Sequence, residues 1–253
     1  MKTLFINLEH EETRRDFQIS QGVTLGLDLQ RIPAVTRSEV VPPPDTLYWQ
    51  RWQRPLRPAE MATLLSHRLA WLHVSRSTAP CLILEDDAWL MPSCAKFLSE
   101  IAILEGVEHL SLETRNRFKI LGRPHPFNPS IRRLILDRTG AAAYVLWPNG
   151  ARKLLARIDC VPGLADAVLM ETPGLRSWQA VPAQAIQIDM AARYGLTPPI
   201  NVQSSISDTV RPDRGTLPFR IRRMKENVRL FARLLSILYG AERRKIPLSS
   251  DYH

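Results

Sequence analysis

The chain has 253 residues, 45% of them hydrophobic and 23% charged, which excludes a disordered polypeptide and suffices to bury the core of one α/β domain. Its formal charge of +9 is uneven: residues 211–253 hold eleven Lys/Arg against four Asp/Glu and so carry +7 of it. A polyanionic partner would therefore be met by the tail, and nucleic acid is not expected there, because only Phe219, Phe231 and Tyr239 interleave with the basic residues.

In chain order, Thr3-Leu4-Phe5-Ile6 reads as a strand, residues 9–18 as a polar helix and the Pro- and Trp-rich residues 35–58 as a long loop. The chain starts on that strand with no basic segment leading into a long apolar run, so no signal peptide is expected and a cytoplasmic protein is. Pro58 then opens a helix in which Met61, Leu64, Leu65, Leu69 and Leu72 recur at helical spacing to about Ser75, with Ser66 and His67 midway. Next comes the feature with most chemistry in it: the apolar run Cys81-Leu82-Ile83-Leu84 ends abruptly in Glu85-Asp86-Asp87. Such a run reads as a buried strand, and ligands of open α/β sheets bind beyond the carboxyl ends of strands. Three hard oxygen donors there suit Mg²⁺ or Mn²⁺, whereas a solvated turn is the plainer alternative.

A helix over 94–105 and a strand over 107–112 follow, then a Pro-, Asn- and Arg-rich stretch, 115–133, that reads as an active-site loop or lid. Residues 141–146 form another buried strand, and Asn149-Gly150 caps a helix to about Ile158. Asp166, an acid within the apolar Leu164-Ala165-Asp166-Ala167-Val168-Leu169, is expected to be either an N-cap or a satisfied site group. Cys81, Cys94 and Cys160 have no metal-ligand spacing and read as buried thiols in a reducing compartment. Dinucleotide, P-loop and zinc motifs are missing, and no run approaches the ~20 apolar residues of a transmembrane helix.

In the tail, Ile221, Met224, Val228, Phe231, Leu235 and Leu238 step by three and four residues into one apolar stripe. Arg220, Arg222, Arg223, Lys225, Arg229 and Arg233 occupy the other faces, and Arg243-Arg244-Lys245 follows Gly240. The pattern predicts an interfacial helix on an anionic membrane surface, with packing of the stripe on the domain as the alternative. Two parts are thus expected: a catalytic domain over 1–210 and a basic amphipathic helical tail over 211–253.

Five segments, in order, resemble glycosyltransferase family 25, the lipooligosaccharide-type galactosyl- and glucosyltransferases. They are Leu4-Phe5-Ile6-Asn7-Leu8 with Thr13-Arg14-Arg15; Glu60-Met61-Ala62-Thr63-Leu64-Leu65-Ser66-His67; the acidic strand; Gly140 through Leu155, with Asp166 beyond; and Pro198-Pro199-Ile200 through residues 203–208. Ala62-Thr63 stands where the family has Gly-Cys, and Leu164-Ala165 where it has Pro-Val. The resemblance implies a single-domain α/β fold of the GT-A type with a Rossmann-like mixed sheet. It also implies inverting transfer of a hexose from a UDP-sugar to a glycan or lipid-linked glycan hydroxyl, with Mn²⁺ or Mg²⁺ as cofactor. On that scheme Asp87 ligates the cation, and Glu85 and Asp86 reach it through water or hold the ribose. Asn7, Arg14, Arg15, Ser66 and His67 fall on the donor-nucleotide side, and Asp166 is the catalytic base. His67 could equally be a packed helix residue. The rival to an enzyme is a basic membrane- or polyanion-binding protein built on an inactive transferase domain.

Overall fold

The computed structural model describes residues 1–137, 140–201 and 217–249, leaving out the side chains of Arg229, Ser236 and Leu238. The 203–208 segment of the resemblance and the domain boundary expected near residue 210 lie outside the described residues.

Two β-α-β units start the chain. Strand β1 (Lys2–Asn7) leads through helix α1 (Glu12–Leu25) to β2 (Asp28–Pro33), and then through α2 (Pro58–Ser75) to β3 (Cys81–Glu85). Both β2 and β3 pair with β1 in parallel, with Ile6 opposite Ile32 on one side and Glu85 on the other, so the ends of β1 and β3 lie side by side. Gly22 lets the Leu29 side chain of β2 lie against the α1 backbone, where a Cβ would come within 1.5 Å of Leu29 Cδ1. The second helix starts where Pro58 fixes the first turn. Its Glu60 carboxylate takes the Arg57 N–H and ion pairs from Arg54 and Arg57, each at 2.8–2.9 Å. Burial alone would raise the Glu60 pKa, but those hydrogen bonds hold it down at about 2, so the clasp is lost only as pH falls from about 4.5 toward 2.

Beyond β3 come β4 (Ala88–Leu90), α3 (Cys94–Ile101), β5 (His109–Ser111), β6 (Phe118–His125), β7 (Asn128–Leu136), β8 (Ala143–Leu146), α4 (Pro148–Cys160), α5 (Ala165–Glu171), β9 (Ser177–Ala180), β10 (Ala185–Gln187), α6 (Leu217–Leu234) and β11 (Glu242–Lys245). Among the described residues nine strands form one mixed sheet in the order β11-β6-β7-β9-β5-β8-β3-β1-β2, and β4 pairs with β10 in a small second sheet. This is the expected single α/β architecture with a mixed sheet: a parallel β2-β1-β3 half joined through antiparallel β8 to a mixed half. Strand period two sorts β3 across the sheet. Cys81 and Ile83 pack toward α2, α4 and α5 with Trp71, Tyr144 and Leu154, while Leu82 and Leu84 pack on the α3 side with Phe97, Leu98 and Val145.

Two expectations need correction. Residues 115–133 are not a lid: they enclose β6 and part of β7, an antiparallel hairpin whose partners lie in β9 and β11. The end of the tail is not helical either. Its Arg243-Arg244-Lys245 forms β11, antiparallel to β6 with Arg243 3.8 Å over the Phe118 ring, and Ile246 is buried. Helix α6 gives way to a 3₁₀ segment, Leu235–Tyr239, so the α-helical stripe ends before Leu235. Of the cysteines, Cys81 and Cys94 are buried and Cys160 is exposed; all three are free.

Candidate active site

The apolar side chains of β3 are buried to Leu84, and the backbone then turns at Asp86-Asp87 into β4. Gln18 of α1 braces this turn, donating through Nε2 to the carbonyls of Ala88 (2.8 Å) and Asp86 (3.2 Å). The three acids diverge. Glu85 Oε1 meets His67 Nε2 at 3.0 Å; Asp86 accepts from Asn7 Nδ2 (2.9 Å) and Arg14 Nη1 (3.2 Å); Asp87 Oδ2 accepts from Gln187 Nε2 at 3.2 Å. Glu85 Oε2 lies 3.4 Å from that same Gln187 nitrogen, so Glu85 and Asp87 converge while Asp86 turns away. Gln187 is placed by β10, whose register sets it opposite Ala88 and whose following residue donates an N–H to the Asp87 carbonyl at 3.0 Å. Burial pushes the Asp87 carboxyl up to about 7, reinforced by the negative charges of Glu85 and Asp86. Burial also raises Asp86, against the pull of Asn7 and Arg14.

His67 belongs to this site through a chain of hydrogen bonds. Trp71 Nε1, which can only donate, reaches the Tyr144 hydroxyl at 2.7 Å, and that hydroxyl meets His67 Nδ1 at 2.9 Å. Tyr144 stays protonated, its pKa raised by burial, and its hydroxyl and the Glu85 carboxylate hold the two ring nitrogens of His67 from opposite sides.

Asp166 sits in the first turn of α5, where Leu164 and not the aspartate occupies the N-cap. Its Oδ1 accepts the Ala167 N–H at 2.7 Å. Burial, with the negative charges of Asp137 and Glu85 behind it, raises the Asp166 carboxyl to about 6. Asp166 lines a cavity of about 380 Å³ with Trp52, Arg54 and Asp137 from the domain and Arg223 and Asn227 from α6.

Two residues expected on the nucleotide side are elsewhere. Arg15 turns to Glu9, Glu12 and Asp16 at 3.6–4.0 Å, because one helical position from Arg14 rotates it off the face that meets Asp86. Ser66 is a buried clasp: its hydroxyl donates to the Ala62 carbonyl at 2.8 Å and accepts the Val35 N–H at 2.9 Å, tying α2 to the loop after β2. Ser66→Ala is accordingly expected to cost about 1–2 kcal/mol in thermal unfolding while the native circular dichroism spectrum is kept.

The residues that sequence reading passed over include Gln18, Gln187, Tyr144 and Glu113. Glu113 Oε1 accepts the Ala142 N–H at 2.8 Å ahead of β8, and its buried Oε2 has no hydrogen-bond partner among the described residues. Burial raises Glu113 to about 8, although Lys119 opposes the shift. Gly140, at φ +144°, lets the chain pass here: a Cβ would lie 3.1 Å from Glu113 Oε1 and 3.2 Å from Asp137 Oδ2. An acid at the end of an expected strand, 107–112, was the available signal for Glu113, as it was for Glu85.

Among the described residues no three His, Cys, Asp or Glu side chains are grouped to hold a metal ion, so the three-acid set does not form a cage. What remains is the Glu85–Asp87 pair, two hard oxygen donors with excess negative charge. That pair fits Mg²⁺ or Mn²⁺ in the mode that uses one or two carboxylates and completes its shell with water and substrate phosphate.

No curated protein matches the chain. Among solved structures it is similar to a glycosyltransferase involved in the glycosylation of the major capsid of PBCV-1, at 10% identity over 74% of this chain and 92% of that one, with a TM-score of 0.38. It is similar also to the inositol-1-phosphate CTP transferase from T. maritima (12%, 76% and 72%, 0.40) and to mannose-1-phosphate geranyltransferase from Thermus thermophilus (9%, 72% and 59%, 0.35). These likenesses are too distant to transfer the role of any residue. The family model for glycosyltransferase family 25 (LPS biosynthesis protein) matches residues 1–170, the stretch that holds β1, Arg14, His67, the acidic end of β3 and Asp166; the chain belongs to glycosyltransferase family 25.

Proposed function

We propose that this glycosyltransferase moves a hexose from a UDP-sugar to a hydroxyl of a (lipo)polysaccharide or related glycan, with inversion and with Mn²⁺ or Mg²⁺ as cofactor. The observation that carries the reading is the convergence of Glu85 and Asp87 on Gln187 beside the Asp86–Asn7–Arg14 cluster, at the crevice end of parallel strands. Glu85 and Asp87 would hold the cation, which when bound neutralises charge building on the UDP leaving group. Asn7 and Arg14, fixed on Asp86, mark the nucleotide side, where a guanidinium forks onto phosphate oxygens. Tyr144 and Trp71 hold His67 against Glu85, so that carboxylate is oriented before any ligand arrives.

The cavity beside Asp166 takes the acceptor. A sugar hydroxyl is a weak nucleophile, and Asp166, ionised above about pH 6, accepts its proton as the anomeric carbon is attacked from the face opposite UDP. Trp52 offers an apolar sugar-facing wall, while Arg54, Arg223 and Asn227 supply donors to glycan oxygens. A panel of UDP-sugars assayed for UDP release with Mn²⁺, and again with chelator, tests the assignment. Chelator-sensitive release from at least one UDP-hexose is expected; no release from any of them overturns the UDP-sugar donor, and chelator-insensitive release overturns the cation.

A further inference from the structure

Helix α6 is packed the reverse of an ordinary amphipathic helix. At 100° per residue, Leu217, Ile221, Met224, Val228 and Phe231 fall within one narrow stripe. A helix that packs on its own domain buries such a stripe. Here it faces out: Met224, Val228 and Phe231 are 62%, 65% and 61% exposed. The opposite face is the one turned to the protein. Arg223, Glu226, Asn227 and Leu230 line the Asp166 cavity, Arg233 Nη1 donates to the Met170 carbonyl at 3.0 Å, and Arg222 donates to the Gln50 carbonyl. Exposed Arg220 and Lys225 lie to either side of the stripe.

We propose that α6 lies on an anionic lipid surface, with the stripe entering the headgroup boundary and its inner face walling the Asp166 cavity. The choice of occupant rests on charge. Arg220 and Lys225 edge the apolar surface with positive charge, in a segment that already holds most of the net charge of the chain. An anionic surface meets both features at once. A second copy of the chain would set the same basic edges against each other across a self-complementary contact, which is unfavourable. No helix among the described residues is long and apolar enough to cross a membrane, so the contact is one of adsorption. Because one helix carries both faces, adsorption would hold the cavity next to the lipid surface, where a lipid-linked acceptor is presented. That last step rests on the acceptor reading above; the adsorption itself does not.

The test is cosedimentation of the full chain with vesicles of phosphatidylcholine alone or mixed with phosphatidylglycerol, and light scattering for oligomeric state. Wild type is expected to pellet with the anionic vesicles, less so as salt rises, and not with the neutral ones. Val228→Asp combined with Phe231→Asp, and separately Arg220→Glu combined with Lys225→Glu, should each lower that partition by about tenfold or more. Circular dichroism and UDP release of the variants in vesicle-free solution should match wild type, so loss of lipid binding is read apart from loss of activity. Equal pelleting of wild type and the Asp variant overturns the proposal, as does no pelleting by wild type. A wild-type dimer that the Asp variant abolishes, without vesicle binding, assigns the stripe to a second copy instead.

Discussion

Asp87→Asn is expected to lower UDP release from the active donor by at least about a hundredfold under saturating Mn²⁺, with an unchanged circular dichroism spectrum and no loss in melting temperature. The amide keeps the size of the side chain and can still accept from Gln187, so the turn at the end of β3 has no reason to shift. What disappears is one of the two carboxylates that converge there, and with it one of the two ligands proposed to hold a divalent cation against a diphosphate. Neighbouring Asp86→Asn should behave differently. Its oxygens face Asn7 and Arg14 and not the Glu85–Asp87 pair, so the loss should be smaller and appear as weaker UDP binding. Near-normal transfer by Asp87→Asn would remove that residue from the cation role.

For Asp166→Asn the expectation is a fall in kcat of about 10²–10⁴ with UDP affinity held, the pattern of a group that acts in the transition state. Wild-type activity should rise with pH through about 6, as the raised carboxyl ionises, and then level. The linked effect on stability has the opposite sign. A carboxyl whose folded pKa is about 6 against an ordinary 3.8 binds more protons in the folded state, so its ionisation weakens the fold as pH climbs through that window. The amide that replaces it carries no such charge yet can still accept the Ala167 N–H, and the variant should melt no lower than wild type at pH 8. Thermal melts at pH 5 and pH 8 alongside steady-state kinetics separate the roles: a variant that melts lower and keeps its turnover per folded molecule makes Asp166 a structural residue.

How the acids act was harder to read than where they are. Burial of the run before Glu85, the start of α2 at Pro58 and its end at Ser75 follow from period and turn chemistry within a few residues. The amino-acid sequence therefore determined by itself the first strand and the helix after it, the acidic strand end, the Ser-His helix and the stripe of α6, but not β2, whose Asp28–Pro33 has only one buried apolar residue. The direction each acid faces depends on partners far away in the chain: Gln187 lies 100 residues beyond Asp87, Asn7 lies 79 before Asp86, and Tyr144 reaches His67 across 77. No local pattern encodes those pairings, so a row of three carboxylates could be read as one ligand set where the fold divides it into a converging pair and a residue held by Arg14.

Only the tertiary structure decided the remaining questions, and for related reasons. Arg14 and Arg15 are equivalent as residue types and differ by one helical step, which places one on Asp86 and the other in solvent-facing ion pairs. The stretch 115–133 reads as a loop because the adjacent Arg132 and Arg133, between buried Ile131 and Leu134, break the strand period, while the hydrogen bonds that make it a strand come, in irregular register, from β6 and from β9. Basic residues 243–245 look like a free extension until β6 supplies an edge for them to pair with. The stripe of α6 is legible as a pattern, but which side of the helix meets the protein is settled by polar contacts to Gln50 and Met170 and by the cavity wall, all made with elements distant in sequence. Periodicity states what a segment could bury; the partners that fold against it determine what it does bury.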